Sequence, residues 1–159
     1  MVDLPESCQR VQQFLDASGL DSRVEILAAS TRTAQEAADA LGCAPAQIAK
    51  SVVFRAKVSD RPVLVIACGD NRVDEKKVAG VIGEKIGRAD ADFVRARTGF
   101  VIGGVAPFAH AEQPLVLVDA TVRRFARMWA AAGTPHAVFS IASEDLIRLA
   151  GGSVVDIAA

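Results

Sequence analysis

"KSVVFRAKVSDRPVLVIACG", Lys50 to Gly69, is the stretch on which the fold turns. Two runs rich in Val, Ile and Phe, "KSVVFRAKV" and "PVLVIACG", flank the turn signal "SDRP", so the segment reads as an antiparallel pair of strands. A charged residue, Lys50, stands at the mouth of the first strand. Immediately upstream, Pro45 suits the first turn of a short helix that carries Ile48 inward and delivers Lys50 to the strand. Before that, "TAQEAADALG" places Thr33 and Glu36 at capping-box spacing, with Gly42 where a left-handed residue ends a helix.

Further out, Val11, Phe14 and Leu15 share one face of a helix from about Glu6 to Ser18 that ends near Gly19. "RVEILA" alternates Val24, Ile26 and Ala28 as a short strand. Downstream, Asp74 caps a helix through Ile82, and Asp90 or Asp92 caps another that ends near Gly99. An apolar strand, "PLVLVDA", precedes a helix expected from Thr121, whose Val122, Phe125, Trp129 and Ala132 form one stripe. The chain closes with a strand "HAVFSIA", a Ser143-capped helix to Ala150, and a strand "VVDIA". At least six strands and four or five helices result, without regular βα alternation. The expectation is an α+β fold: a curved, mixed, largely antiparallel sheet partly wrapped by helices, in a single domain over residues 1–159.

Bulk properties agree. A chain of 159 residues, 51% hydrophobic and 23% charged, can bury its own core and does not have the composition of a disordered segment. Its formal charge of −1 sets up no global field for nucleic acid, and no helix-turn-helix with a basic recognition helix emerges, so duplex DNA is not an expected partner. Cys8, Cys43 and Cys68 are scattered, odd in number and without CxxC spacing, which argues against a disulfide framework or a zinc site and for a reducing cytoplasm. No leader-like segment and no run of eighteen apolar residues points to secretion or to the membrane. No metal and no cofactor is expected: G-x-G-x-x-G, a GK[ST] after the glycines, G-x-S-x-G and HExxH are all absent.

Two features stand out chemically. "GFVIGGVAPFAH", Gly99 to His110, combines Gly103 and Gly104, which free the backbone, with Pro107, which fixes it, suggesting a rigid loop whose exposed amides can bind a carbonyl oxygen or an oxyanion. Lys50 is the other, a compact cation able to bind phosphate or polarise an ester. Each has an ordinary reading as well, a turn after a strand and a lysine laying its methylenes on the core, and on spacing alone the ordinary reading of the loop is favoured.

Three stretches together, "TRTAQEAADALGCAPAQIAKSVVF", "TGFVIGGVAPFAH" and "GTPHAVF", resemble the YbaK/ProX family of free-standing prolyl-tRNA editing proteins, relatives of the insertion domain within bacterial prolyl-tRNA synthetases. The likeness covers nearly the whole chain. The family's lysine at the start of this strand is matched by Lys50, and its G-x-x-x-P loop by Gly103 to Pro107; where many members carry a serine before the proline, this chain has Ala106, so that contact is not carried over.

The resemblance implies a trans-acting deacylase that hydrolyses the ester of a small, wrongly attached amino acid on tRNA, most often tRNA(Pro). Attack by water is then assisted by a ribose hydroxyl of the terminal adenosine, and no protein nucleophile is required. The implied catalytic set is Lys50, orienting the nucleotide, with Gly103 and Pro107 of the loop. Gly104, Val105 and Ala106 would surround the aminoacyl group and limit the depth of the pocket, a second sieve where one methylene is worth only about 1–3 kcal/mol. Thr31, Phe108 and His136 are further candidates for the substrate side. Ordinary roles compete for each: a place beside the Thr33 cap, an anchor for the loop, a satisfied structural histidine. His110 reads as a surface or loop-fixing residue and Trp129 as core. Arg123, Arg124, Arg127, Lys76, Lys77 and Lys85 are candidates for contact with the acceptor end, with a prolyl-tRNA synthetase or an elongation factor as the implied delivery partner. The alternative is a binding module that holds aminoacyl-adenosine or an amino acid without turnover; Lys50 together with the G-x-x-x-P loop favours the enzyme.

Overall fold

Strand β3, Pro62–Cys68, is buried along its whole length and forms the axis of the molecule in the computed structural model, which describes residues 4–159. Its side chains alternate: Leu64, Ile66 and Cys68 enter one core cluster, while Val63, Val65 and Ala67 enter a second. A strand covered on both faces has no polar positions, which is why this run is continuously apolar. Each fully buried Leu or Ile here contributes about 1.5–3 kcal/mol.

Strand β2, Ile48–Ala56, lies antiparallel to β3 from Ala49 opposite Cys68 to Arg55 opposite Pro62, the hairpin read from the sequence. Beyond β3 the sheet continues in parallel through β5, Leu115–Asp119, to β8, Ser153–Val155. On the other side β6, Arg127–Ala131, runs parallel to β2 at Ile48 and Ala49, followed by antiparallel β7, Ala137–Ala142, and the two-residue β1, Glu25–Ile26. Strand β4, Ile86–Arg88, pairs with the other half of the same β2 edge, from Phe54 to Ala56. Between β6 and β4, the edge of β2 from Lys50 to Val53 has no strand partner among the described residues.

Helices pack on both faces. α1 (Glu6–Ala17), α4 (Ala91–Thr98) and α5 (Ser143–Ala150) drive Val11, Leu15, Phe93, Val94 and Leu146 into the larger cluster. α3 (Glu75–Ile82) sets Val78 in the second, and α2 (Ala34–Leu41) packs Ala37 and Ala38 against Ile48. The expected starts and stops are present: Thr33 Oγ1 accepts from the Glu36 amide at 3.1 Å, Asp74 from Lys76 at 3.0 Å and Asp90 from Phe93 at 2.8 Å, and α2 closes on left-handed Gly42. The architecture is the mixed α+β sheet partly wrapped by helices that the sequence suggested.

The helix expected from Thr121 does not form. Ala120–Arg124 make a short 3-10 turn, and the chain then extends into β6. Ser143 Oγ donates to the Phe125 carbonyl at 2.5 Å and the Ser143 amide to that of Ala126 at 2.9 Å, holding residues 125 and 126 extended. Beyond them Met128, Ala130 and Ala132 are buried in alternation, and β6 pairs with β7 from Arg127 to Ala131. Two periodicities were available here, and sheet pairing selected the period of two. Ser143, engaged with Phe125, does not cap α5, whose N-cap is Ala142. Strand β1 is confined to Glu25 and Ile26, and the final strand ends at Val155, with a lone bridge from Val73 to Ala158 after it.

Candidate functional site

The unpartnered edge of β2 opens into a cleft of about 540 Å³. Its walls are β2 from Ile48 to Val53, the segment entering α2 from Thr31 to Gln35, β6 from Trp129 to Ala131, and the loop residues Ile102, Gly103 and Val105. The two charged side chains on this lining, Lys50 and Arg32, are both cations, and no carboxylate lines the cleft among the described residues. Such a site is suited to an anionic group flanked by apolar surface.

Lys50 is the third residue of β2, opposite Ala67, and is half buried. Its Nζ donates to the Asn71 carbonyl at 2.5 Å, which leaves two of the three ammonium donors uncommitted. Burial pushes the ammonium below the ordinary lysine range; Asp70 and Cys68 pull it back, and Arg72 depresses it further. Asp70 is itself engaged by Arg124 at 2.9 Å.

The glycine loop is tied down from several directions. Gly103 has φ +88°, and a β-carbon there would lie 2.5 Å from Arg32 Cγ. At Gly104 a β-carbon would lie 2.7 Å from the Thr134 backbone. That close approach lets the Gly133 amide donate to the Gly104 carbonyl at 3.0 Å, while the Gly104 amide donates to Val101 at 2.9 Å. His110 Nε2 donates to the Ala106 carbonyl at 2.7 Å, and burial holds its pKa below the usual histidine range. Phe108 stacks on Phe14 with ring centroids 4.5 Å apart and lies 5.5 Å from Phe139. The amides of Gly103, Val105 and Ala106 donate to no protein acceptor among the described residues, although Val105 and Ala106 are buried. Of the three, Gly103 and Val105 line the cleft, where unpaired donors can receive a substrate oxygen.

The structure therefore brings Lys50, Thr31, Gly103 and Val105 to one cleft. Gly104, Ala106, Pro107 and Phe108 are buried behind the lining and shape the loop from there. Thr31 is 6% exposed and donates Oγ1 to the Pro135 carbonyl at 3.0 Å. His136 does not line the cleft; it is exposed and donates Nδ1 to the Ala29 carbonyl at 3.1 Å. Among the cations considered for the acceptor end, Arg123 pairs with Glu144 at 3.4 Å, Arg124 with Asp70 at 2.9 Å and Lys77 with Asp156 at 3.4 Å, while Arg127 donates to Ser140 at 3.1 Å. Most other lining residues carry no site role in the sequence reading, and three of them matter chemically. Arg32 was hidden beside the Thr33 cap, Ser51 has a buried Oγ without a protein partner, and Trp129 stands on the wall of the cleft because its segment is a strand.

Residues 28–149 match the family model of the aminoacyl-tRNA editing domain. The chain belongs to the aminoacyl-tRNA editing domain family. The matched span contains Thr31, Arg32, Lys50 and the whole glycine loop, so every wall of the cleft lies inside the editing domain. A solved structure described as a candidate trans-editing enzyme for prolyl-tRNA synthetase shares 37% identity and a TM-score of 0.91, covering 99% of both chains. The uncharacterised protein YwhH of Bacillus subtilis is 33% identical over 117 residues, 74% of each chain. Proline–tRNA ligase of Thermoanaerobacter sp. is 29% identical over 98 residues, 60% of this chain and 17% of the ligase. The chain is thus similar to a limited part of a synthetase and to one solved chain over nearly its full length.

Proposed function

We propose that residues 1–159 act as one free-standing editing domain, in the cytoplasm, that hydrolyses the ester between a small, wrongly attached amino acid and the end of tRNA, tRNA(Pro) foremost. The observation that carries this reading is the cleft at the open edge of β2, which joins a cationic wall, Lys50 and Arg32, to a glycine loop with unpaired amides. Lys50, with two free donors, binds a phosphate or sugar oxygen of the terminal nucleotide and orients the ester. The loop amides meet the carbonyl oxygen, which gains negative charge as water attacks, and they need no reorganisation to do so. Since the lining offers no imidazole or carboxylate base among the described residues, activation of that water falls to the substrate: the neighbouring ribose hydroxyl accepts the water's proton as its own proton passes to the departing ester oxygen. Apolar side chains such as Val53, Val105 and Ile102 bound the remaining space and favour a small aminoacyl group.

The test is a panel of tRNA(Pro) charged with alanine, cysteine, serine, threonine or proline, with ester loss measured against spontaneous hydrolysis. The reading expects at least one small residue to be released well above background and proline to be spared. Binding of charged tRNA without acceleration of any ester would replace the enzyme with a binding module.

A further inference from the structure

The Lys50 ammonium is the end point of a hydrogen-bond chain that begins inside the sheet. Asp119, the last residue of β5, is 1% exposed, and both of its oxygens are engaged. Oδ1 accepts from the Ile157 amide at 3.0 Å; Oδ2 accepts from the Thr121 amide at 3.2 Å and, in a closer contact, from the Thr121 hydroxyl. Burial alone would raise the Asp119 carboxyl, but these donors hold it below the ordinary range, so it is an anion at neutral pH. With its proton directed at the carboxylate, Thr121 Oγ1 turns its lone pairs outward, and one accepts from Asn71 Nδ2 at 2.8 Å. Asn71 is thereby fixed twice, through its side chain and through its own amide, which donates to Cys68 at 3.0 Å. Its carbonyl is the acceptor for Lys50.

We propose that Asp119, Thr121 and Asn71 form a positioning network that fixes the direction of the Lys50 ammonium, so that its two remaining donors face the cleft. Asp119 has structural duties of its own, starting the 3-10 turn and holding Ile157, but neither requires the bond between Asn71 and Thr121. That bond couples the anion to the lysine: a long, flexible side chain on a strand edge otherwise samples many rotamers, and fixing its acceptor removes that freedom before substrate arrives. The three are positioning residues, since none of them lines the cleft.

The proposal rests on the deacylase reading for its kinetic consequences, but the state of Lys50 can be read without any activity. The experiment compares wild type with Thr121→Val, Thr121→Ser and Asn71→Ala, each checked for cooperative thermal melting. Two quantities are read: the side-chain ammonium resonance of Lys50 by heteronuclear NMR in mildly acidic solution, assigned with Lys50→Arg, and single-turnover deacylation. The expected result is a protected Lys50 resonance in wild type that is lost in Thr121→Val and Asn71→Ala and returns in Thr121→Ser. The chemical step should slow about tenfold to a hundredfold in the first two, with KM little changed, because misplacing a group by about 1 Å costs on that order. A Lys50 resonance and rate unaltered in Asn71→Ala, a variant in a surface turn, would overturn the network even if Thr121→Val failed to fold. Absence of deacylation in wild type with the expected NMR pattern intact would count against the enzymatic reading and leave the network standing.

Discussion

Arg32 lies across Gly103, with its Cγ only 2.5 Å from where a β-carbon on that glycine would be. The contact joins the segment entering α2 to the glycine loop across the mouth of the cleft, and it couples the loop's conformation to a cation.

Gly103→Ala is therefore penalised twice. A left-handed backbone costs a non-glycine residue about 1–2 kcal/mol, and Gly103 sits at φ +88°. The new methyl also displaces Arg32. Thermal melting should fall by several degrees and deacylation should drop at least tenfold, about 1.4 kcal/mol in the barrier. Ala106→Gly, a change in the same loop that adds no atoms, serves as the comparison and should retain more activity. Gly103→Ala with wild-type turnover would show that the loop does not shape the site.

Arg32 itself makes no ion pair among the described residues, unlike Arg123 and Arg124. Arg32→Ala should raise KM with a smaller effect on kcat. It should also flatten the salt dependence of tRNA binding by about 0.7 in log–log slope, the loss of one contact to a single-stranded phosphate. An unchanged slope, measured by filter binding at several salt concentrations, would remove Arg32 from the tRNA path.

The pH dependence follows from Lys50. If its cationic form orients the substrate, activity above background falls as pH rises through a midpoint below that of an ordinary lysine, about 10.4. Burial lowers this midpoint and Arg72 lowers it further, so Arg72→Ala should move the alkaline limb upward. Stability runs the other way. A folded-state lysine with a depressed pKa binds fewer protons than the unfolded chain, so its contribution to stability grows as pH rises through that window. A limb that does not move in Arg72→Ala would mean that another group controls it.

His110 supplies an acid-side test. Partly buried, His110 has a folded-state pKa held by desolvation below the unfolded value of about 6.5, so the stability it contributes is present above that value and is lost as pH falls toward the folded pKa. His110→Gln keeps a donor for the Ala106 carbonyl and removes the titration. Its melting temperature should decline less than that of wild type between neutral and mildly acidic pH; parallel declines would show that His110 does not titrate in this window.

The parts of the fold that were legible in the sequence are those whose cause is local. β3 announces itself because both its faces are covered, and Thr33, Asp74, Asp90 and Gly42 cap helices through groups within a few residues. The segment after Asp119 was not legible, because Val122, Phe125 and Trp129 fit a helix as well as Met128, Ala130 and Ala132 fit a strand, and the choice is made by β7 and Ser143. The site was half legible. Lys50 and Gly103 stand out from the residues themselves and a resemblance favours their functional reading, but the opening between them arises because β6 and β4 claim opposite ends of one β2 edge, and those strands come from distant parts of the chain. Arg32 and the Asn71–Thr121–Asp119 chain were missed for the same reason, as their roles exist only in the folded molecule.

The most direct test of the central claim, that Lys50 and the glycine loop act on one ester in one cleft, is the single-turnover deacylation rate of wild type and Lys50→Ala on the best substrate of the mischarged tRNA(Pro) panel. Removing a preorganised charge from a reaction site costs about 10²- to 10³-fold, and a loss of that order is expected with melting temperature preserved. Equal rates for the two folded proteins would contradict the account.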